Sequence, residues 1–173
     1  IVALADRLAG PGRVLPAALD GRVSTIGLLH EIAGEGGLGW NGRLFMIHAS
    51  LTSNGERGFP LPAAQYLAAK YGYAPDRIDQ ARSHAREVLA MLAARLGDAR
   101  YFGGDHPNAL DAYSATFLTP LTHLTEQDCP NLRPELRAAF ATAADALGGD
   151  VPPSLLAHRK RMFDEHLPWP IEI

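Results

Sequence analysis

The run GEGGLG, Gly34 to Gly39, is the first place in this chain where backbone and ligand could approach closely. Its glycines at 34, 36 and 39 match G-x-G-x-x-G, the pattern that cradles a dinucleotide pyrophosphate. That chemistry needs a buried strand in front of the glycines and an acid about 20 residues beyond for the ribose. The preceding LLHEIA places His30 and Glu31 where a central strand would be apolar, and no acid stands at that offset in a second strand. The glycines therefore read as a bend, or as a place where another backbone or a ligand comes near. His30-Glu31 opens like a zinc-protease helix, but Ile32, Ala33 and Gly34 follow and the second His is missing. A metal site has no support from spacing. Cys129 stands before Pro130 with no second cysteine in the chain, and nothing nearby marks a nucleophile. Asp111, in a strongly apolar stretch, has two readings: a catalytic carboxylate, or a helix cap. Three residues after Asn108 it fits the cap, since Asn accepts an orphan N–H and the acid answers back. HRKRM, His158 to Met162, reads as a solvated helix face near a C-terminus, where cations are favoured.

The stretch YFGGDHPNALDAYSATFLTP, Tyr101 to Pro120, organises the rest of the chain. Gly, Asp and Pro make a non-helical approach, Asn108 caps, and the residues that follow are apolar on nearly every side, which predicts a core helix. Ile1 to Ala9 has helical periodicity and stops at Gly10-Pro11-Gly12, a linker. A two-part helix from Asp20 to Leu51 passes the glycine cluster and resumes at Trp40. Pro62 to Tyr71 forms a short helix closed by Gly72. Pro75 to Leu96 is the clearest amphipathic stretch, with Ile78, Ala81, Ala85, Val88, Leu89, Leu92 and Leu96 on one stripe. Its arginines at 77, 82, 86 and 95 are expected on a solvated face. Pro134 to Leu147, closed by Gly148 and Gly149, and Pro153 to Leu167 complete the series, before a tail PWPIEI expected to pack back on the body. No segment alternates apolar and polar residues between turns. The expected fold class is all-α, a bundle of six to seven helices.

The 173 residues suffice for one domain with a real core. At 47% apolar and 20% charged the chain has an ordinary globular composition, and a net charge of −3 points to neither nucleic acid nor an acidic membrane as partner. A single cysteine excludes an internal disulfide framework and suits a reducing, cytoplasmic setting. No apolar run approaches the ~20 residues of a membrane span. The first residue is Ile, no signal-peptide pattern precedes it, and the chain reads as the rear part of a longer one.

The glycine-linked pair Tyr101 and Phe102, then Gly104, Asp105, Asn108, Leu110 and Asp111, resembles the capping box of the helical C-terminal domain of glutathione S-transferases. Asn at the cap departs from the Ser or Thr more usual in that family. GLLHEIAGEGGLGWNGRL, Gly27 to Leu44, is similar to the family's first C-domain helix in a bacterial subgroup, and IVALADRLAG to the last helix of its thioredoxin-like domain. The resemblance implies that residues 1–12 end a thioredoxin-like domain and its linker, and that 13–173 form the helical domain. It implies an enzyme that conjugates glutathione, a cosubstrate rather than a cofactor, to detoxify electrophiles, and a homodimer. The catalytic Ser, Cys or Tyr would lie outside this chain. On the same ground Trp40, with Leu38 and Trp169, is expected to furnish the pocket for the apolar electrophile. His30 and Glu31 are expected near glutathione, the carboxylate meeting the γ-glutamyl ammonium. The other readings are that Trp40 is core and Glu31 a solvated acid, and that the domain is a non-catalytic binding or assembly module.

Overall fold

A computed structural model of the chain describes residues 1–147 and 151–172. Among them eight α-helices follow one another: α1 (Val2–Ala9), α2 (Leu19–Ala33), α3 (Leu38–Thr52), α4 (Leu61–Lys70), α5 (Ile78–Leu96), α6 (Ala109–Leu118), α7 (Pro134–Leu147) and α8 (Pro153–Glu165). Single 3-10 turns at Pro75–Arg77 and Thr119–Leu121 lead into α5 and out of α6. The described residues contain no strand, and the class is all-α. The proposed stop of α7 at Gly148 and Gly149 lies outside the described residues.

The stretch expected as one bent helix is two, α2 and α3, and the glycines explain the break. Gly36 has φ +74°, a conformation that side chains rarely adopt. A Cβ on Gly37 would lie 2.5 Å from the Glu31 carbonyl oxygen, so the chain folds back against the last turn of α2 only because that side is bare. Asn41, buried in α3, donates from Nδ2 to the Gly36 carbonyl at 2.8 Å and holds the link closed.

Two helices share the centre. α3 packs on α4, α5 and α7, while α6 packs on α2 and α8. On α5 every residue of the expected stripe is buried, and no other residue of that helix is. Its five branched side chains each contribute roughly 1.5–3 kcal/mol by leaving water, which anchors a helix whose other faces are charged. The face expected to be solvated does more than meet water. Arg82 Nε donates to the Ala146 carbonyl at 2.7 Å and Arg86 Nε to that of Leu147 at 2.9 Å, so two cations from α5 serve the last carbonyls of α7.

At the start of α6, the Leu110 N–H donates to Asn108 Oδ1 and the Asn108 N–H to Asp111 Oδ2, both at 2.8 Å, completing a capping box. Asp111 goes further than a cap. It is fully buried, and it also accepts from the N–H groups of Phe102 (2.8 Å) and Gly103 (3.2 Å) and meets His158 Nε2 at 2.8 Å. His158 too is fully buried, which corrects the reading of HRKRM as a solvated face. Helical period places Leu155, His158 and Met162 on one inward stripe, leaving Lys160 outside to pair with Asp164. Arg159 is half-buried over the Phe163 ring, and burial pulls its guanidinium below the usual arginine range, an effect that Asp128 opposes.

Beyond α8 the tail returns to the body. The Ile171 N–H donates to the Asp128 carbonyl at 2.9 Å, and Cys129 Sγ donates to the Ile171 carbonyl at 2.8 Å.

Candidate functional site

Because α3 is central, each of its sides looks onto a different space. Trp40, Asn41 and Leu44 face a cleft of about 620 Å³, closed on the other side by the end of α4 and the start of α5. Trp40 is half-buried and meets Tyr71 edge to face, ring centroids 4.6 Å apart. Lys70 Nζ and the Arg43 guanidinium each stand 5.7 Å from the Tyr71 centroid, a distance at which the ring face attracts a cation. Lys70 and Arg77 line the cleft without a carboxylate at ion-pair distance among the described residues. Glu35 and His84 also line it, and His84 Nε2 lies 3.2 Å from Glu31 Oε2. Behind it His48 Nδ1 and the Tyr73 hydroxyl are hydrogen-bonded at 2.9 Å, and burial pushes the Tyr73 phenol up.

Gly39, Gly42 and Met46 look the opposite way, into a groove of about 410 Å³ against α6 and α7, and Arg43, whose guanidinium lies over the Tyr71 ring, stands between the two spaces. The two glycines are places of close approach: a Cβ on Gly39 would sit 2.5 Å from the Phe117 ring, and one on Gly42 would sit 3.2 Å from a Leu121 methyl.

Measured against the sequence expectations, the site residues separate. Trp40 lines the larger cleft, and Glu31 reaches its edge through His84. His30 is exposed on the last turn of α2 and lines none of the described clefts. Leu38 has no exposed surface and is a core residue, so in this structure it offers nothing to an electrophile. Trp169 packs edge-on against Phe163 at 6.0 Å, 46% exposed, away from the Trp40 cleft. Asn108 and Asp111 hold the start of α6 and line neither side of α3's two clefts.

Residues 75–138 match the family described as glutathione S-transferase, C-terminal domain. The match runs from the 3-10 turn before α5, through α6, into the first turn of α7. That stretch is thus similar to part of a glutathione S-transferase C-terminal domain. No curated protein and no solved structure matches the chain. Within the matched stretch lie Arg77, Ile78, Ala81 and His84, the α5 wall of the Trp40 cleft, and Asp111 with its backbone donors; α3 lies before it and His158 beyond it.

The sequence reading missed Lys70, Tyr71 and His84. Tyr71 looked like the last apolar position of a short helix, and only the packing of α4 on α3 brings its ring to Trp40. Among the described residues no helix is long and apolar enough to cross a membrane, and no three His, Cys, Asp or Glu side chains converge as metal ligands would.

Proposed function

We propose that this chain is the helical part of a glutathione transferase-like enzyme and that the Trp40 cleft receives the electrophile. The observation that carries this reading is the position of Trp40, half-buried on the larger cleft beside α3, with Tyr71 across from it and the glutathione S-transferase-type α5 as the far wall. A planar electrophile is held there against the touching Trp40 and Tyr71 rings, as ligand pockets combine apolar walls with a few placed polar groups. Glu31, engaged by His84 at the rim, is placed to exchange that partner for the γ-glutamyl ammonium of glutathione.

The chemistry itself asks for groups beyond these residues. A free thiol has a pKa of about 8.5, and the thiolate is the nucleophile, so the enzyme must favour the ionised form and hold it beside the electrophile. In this proposal a thioredoxin-like domain joined ahead of α1 supplies that tripeptide site and its Ser, Cys or Tyr, and the assembled enzyme is a homodimer.

Residues 1–173 alone are expected to conjugate glutathione to an aryl halide no faster than the uncatalysed reaction, and the enzyme with its glutathione-binding domain to do so readily. In that enzyme Trp40→Ala raises KM for the aryl halide more than KM for glutathione. Equal changes in both would make Trp40 a core residue. A full-length protein that binds glutathione and the aryl compound yet forms no conjugate would favour the non-catalytic module instead.

A further inference from the structure

The Trp40 cleft is not the wholly apolar pocket that a neutral aryl electrophile would favour. Lys70 and Arg77 line it, both exposed, and neither has a carboxylate at ion-pair distance among the described residues. Lys70 Nζ stands 5.7 Å from the Tyr71 centroid, and so does the guanidinium of Arg43, which spends Nη1 on the Gly39 carbonyl at 2.9 Å. Two cations therefore flank the ring that Trp40 touches. The acid on the lining, Glu35, comes from the link between α2 and α3 and has no cation at ion-pair distance among the described residues. His84 is already opposite Glu31. Helix stability does not explain Arg77. It stands at the N-cap of α5, its side chain makes no capping bond, and a cation is disfavoured at the positive end of a helix.

We propose that the electrophile of this cleft is an aryl compound carrying an anionic group, a carboxylate or a sulfonate, whose ring lies on Trp40 and Tyr71 and whose charge is met by Lys70 and Arg77. This rests on the reading of the Trp40 cleft as the electrophile site and names the substrate class within it. A flat ring entering the cleft strips water from both cations. A neutral substituent returns nothing for that loss, whereas an anion returns a charge-assisted pair. Lys70 supplies a point charge and Arg77 a planar set of donors, so both anions are accommodated. A cationic substituent is repelled by the same two groups. The anionic group is not consumed. The glutathione thiolate bonds to a ring carbon, the halide leaves with the electron pair of the bond that breaks, and the anion stays on the product. Glutathione carries two carboxylates of its own, a second source of the same chemistry, and KM values for the two substrates separate the sources.

The test uses the full-length protein and two electrophiles of nearly equal shape and different charge, 4-chloro-3,5-dinitrobenzoate and 4-chloro-3,5-dinitrobenzamide. KM for the benzoate is expected about tenfold below KM for the benzamide, the range of two partly exposed ion pairs. The difference shrinks to about twofold in about 1 M salt, where the screening length is ~3 Å. Lys70→Gln and Arg77→Gln each raise KM for the benzoate about threefold, and more than KM for glutathione. Lys160→Gln, which removes an exposed cation from α8, does not change the preference. Calorimetric titration with the chlorine-free dinitrobenzoate and dinitrobenzamide reads the same preference without turnover. Equal KM values for acid and amide, or a preference that survives in both Lys70→Gln and Arg77→Gln, would overturn the proposal. So would a larger rise in KM for glutathione than for the benzoate, which would assign the two cations to the tripeptide. If neither chloride is conjugated, the transferase reading fails by itself; a Lys70-dependent calorimetric preference for the acid would then still establish a cleft that selects anions, and its absence would refute that too.

Discussion

On one side of α3 a tryptophan projects into a cleft with two cations that lack carboxylate partners among the described residues; on the other, two glycines leave a groove whose single charge, Arg43, stands between the two. The backbone is the same helix. What differs is which positions of the 3.6-residue period carry bulk: 40, 41 and 44 face the first space, and 39, 42 and 46 the second. Gly in a helix interior costs about 1 kcal/mol relative to Ala, so bare positions persist where neighbours need the room. Here Phe117 and Leu121 are those neighbours. One face is thus shaped by the side chain α3 presents, and the other by side chains α3 omits.

The largest effect on that contrast is expected from Asp111, because α6 lends Thr116 and Phe117 to the apolar groove and no residue to the Trp40 cleft. Asp111→Ala removes the acceptor for three backbone N–H groups and leaves the buried His158 ring without its hydrogen-bond partner, and should cost about 3–5 kcal/mol in denaturant unfolding. Asn108→Ala, which loses only the cap, should cost about 1 kcal/mol. Equal losses in the two variants would reduce Asp111 to a cap.

Next in size, Gly39→Ala drives a methyl into the Phe117 ring, which must swing aside, with a loss of about 1–2 kcal/mol and a change in the groove's shape visible by crystallography. Gly42→Ala meets only the end of a Leu121 side chain, and the gain of about 1 kcal/mol in helix propensity should offset that contact to near neutrality. A reversed order would mean that the groove is shaped from α7 rather than α3.

The smallest effect concerns a cluster that touches neither space. The Glu165 carboxylate accepts from the Tyr101 hydroxyl at 2.7 Å and from Arg100 Nη2 at 2.7 and 2.8 Å, and these hold it below the usual carboxylate range. A carboxyl depressed by folding contributes its stability above the unfolded value, near 4.5, and loses it as pH falls through the lower folded value. Glu165→Gln should therefore melt slightly below the unmodified protein at neutral pH and converge with it in acid, with ligand binding in the Trp40 cleft unaltered. A gap that widens in acid would contradict the sign.

Much of this architecture is visible in the residues themselves. The α5 stripe and the Asn108–Asp111 box are local patterns, fixed by a 3.6-residue period and by three-residue spacing, and both stand where the pattern puts them. Leu38 and Trp40 show where local reading fails. They are two residues apart and both large and apolar, yet one is sealed in the core and the other lines a cleft. Their rotation about α3 depends on how the Gly34–Gly37 link starts that helix, and no spacing rule carries that angle. His158 was hidden by its charged neighbours, although Leu155, His158 and Met162 already formed an inward row. The Trp40 cleft needs Tyr71 and His84 from a different helix pair, so only tertiary packing assembles it.

The Asp111 network also has a consequence for the order in which the chain is made. His158 is 47 residues beyond the carboxylate it meets, so a nascent chain that has just released α6 from the ribosome can complete the capping box but not the contact with α8. At the ~5–20 residues per second of synthesis, α6 waits seconds with one side of a buried acid still open to water. The capping box, wholly local, is what can hold the start of that helix through the interval, and α8 arrives as the closing piece.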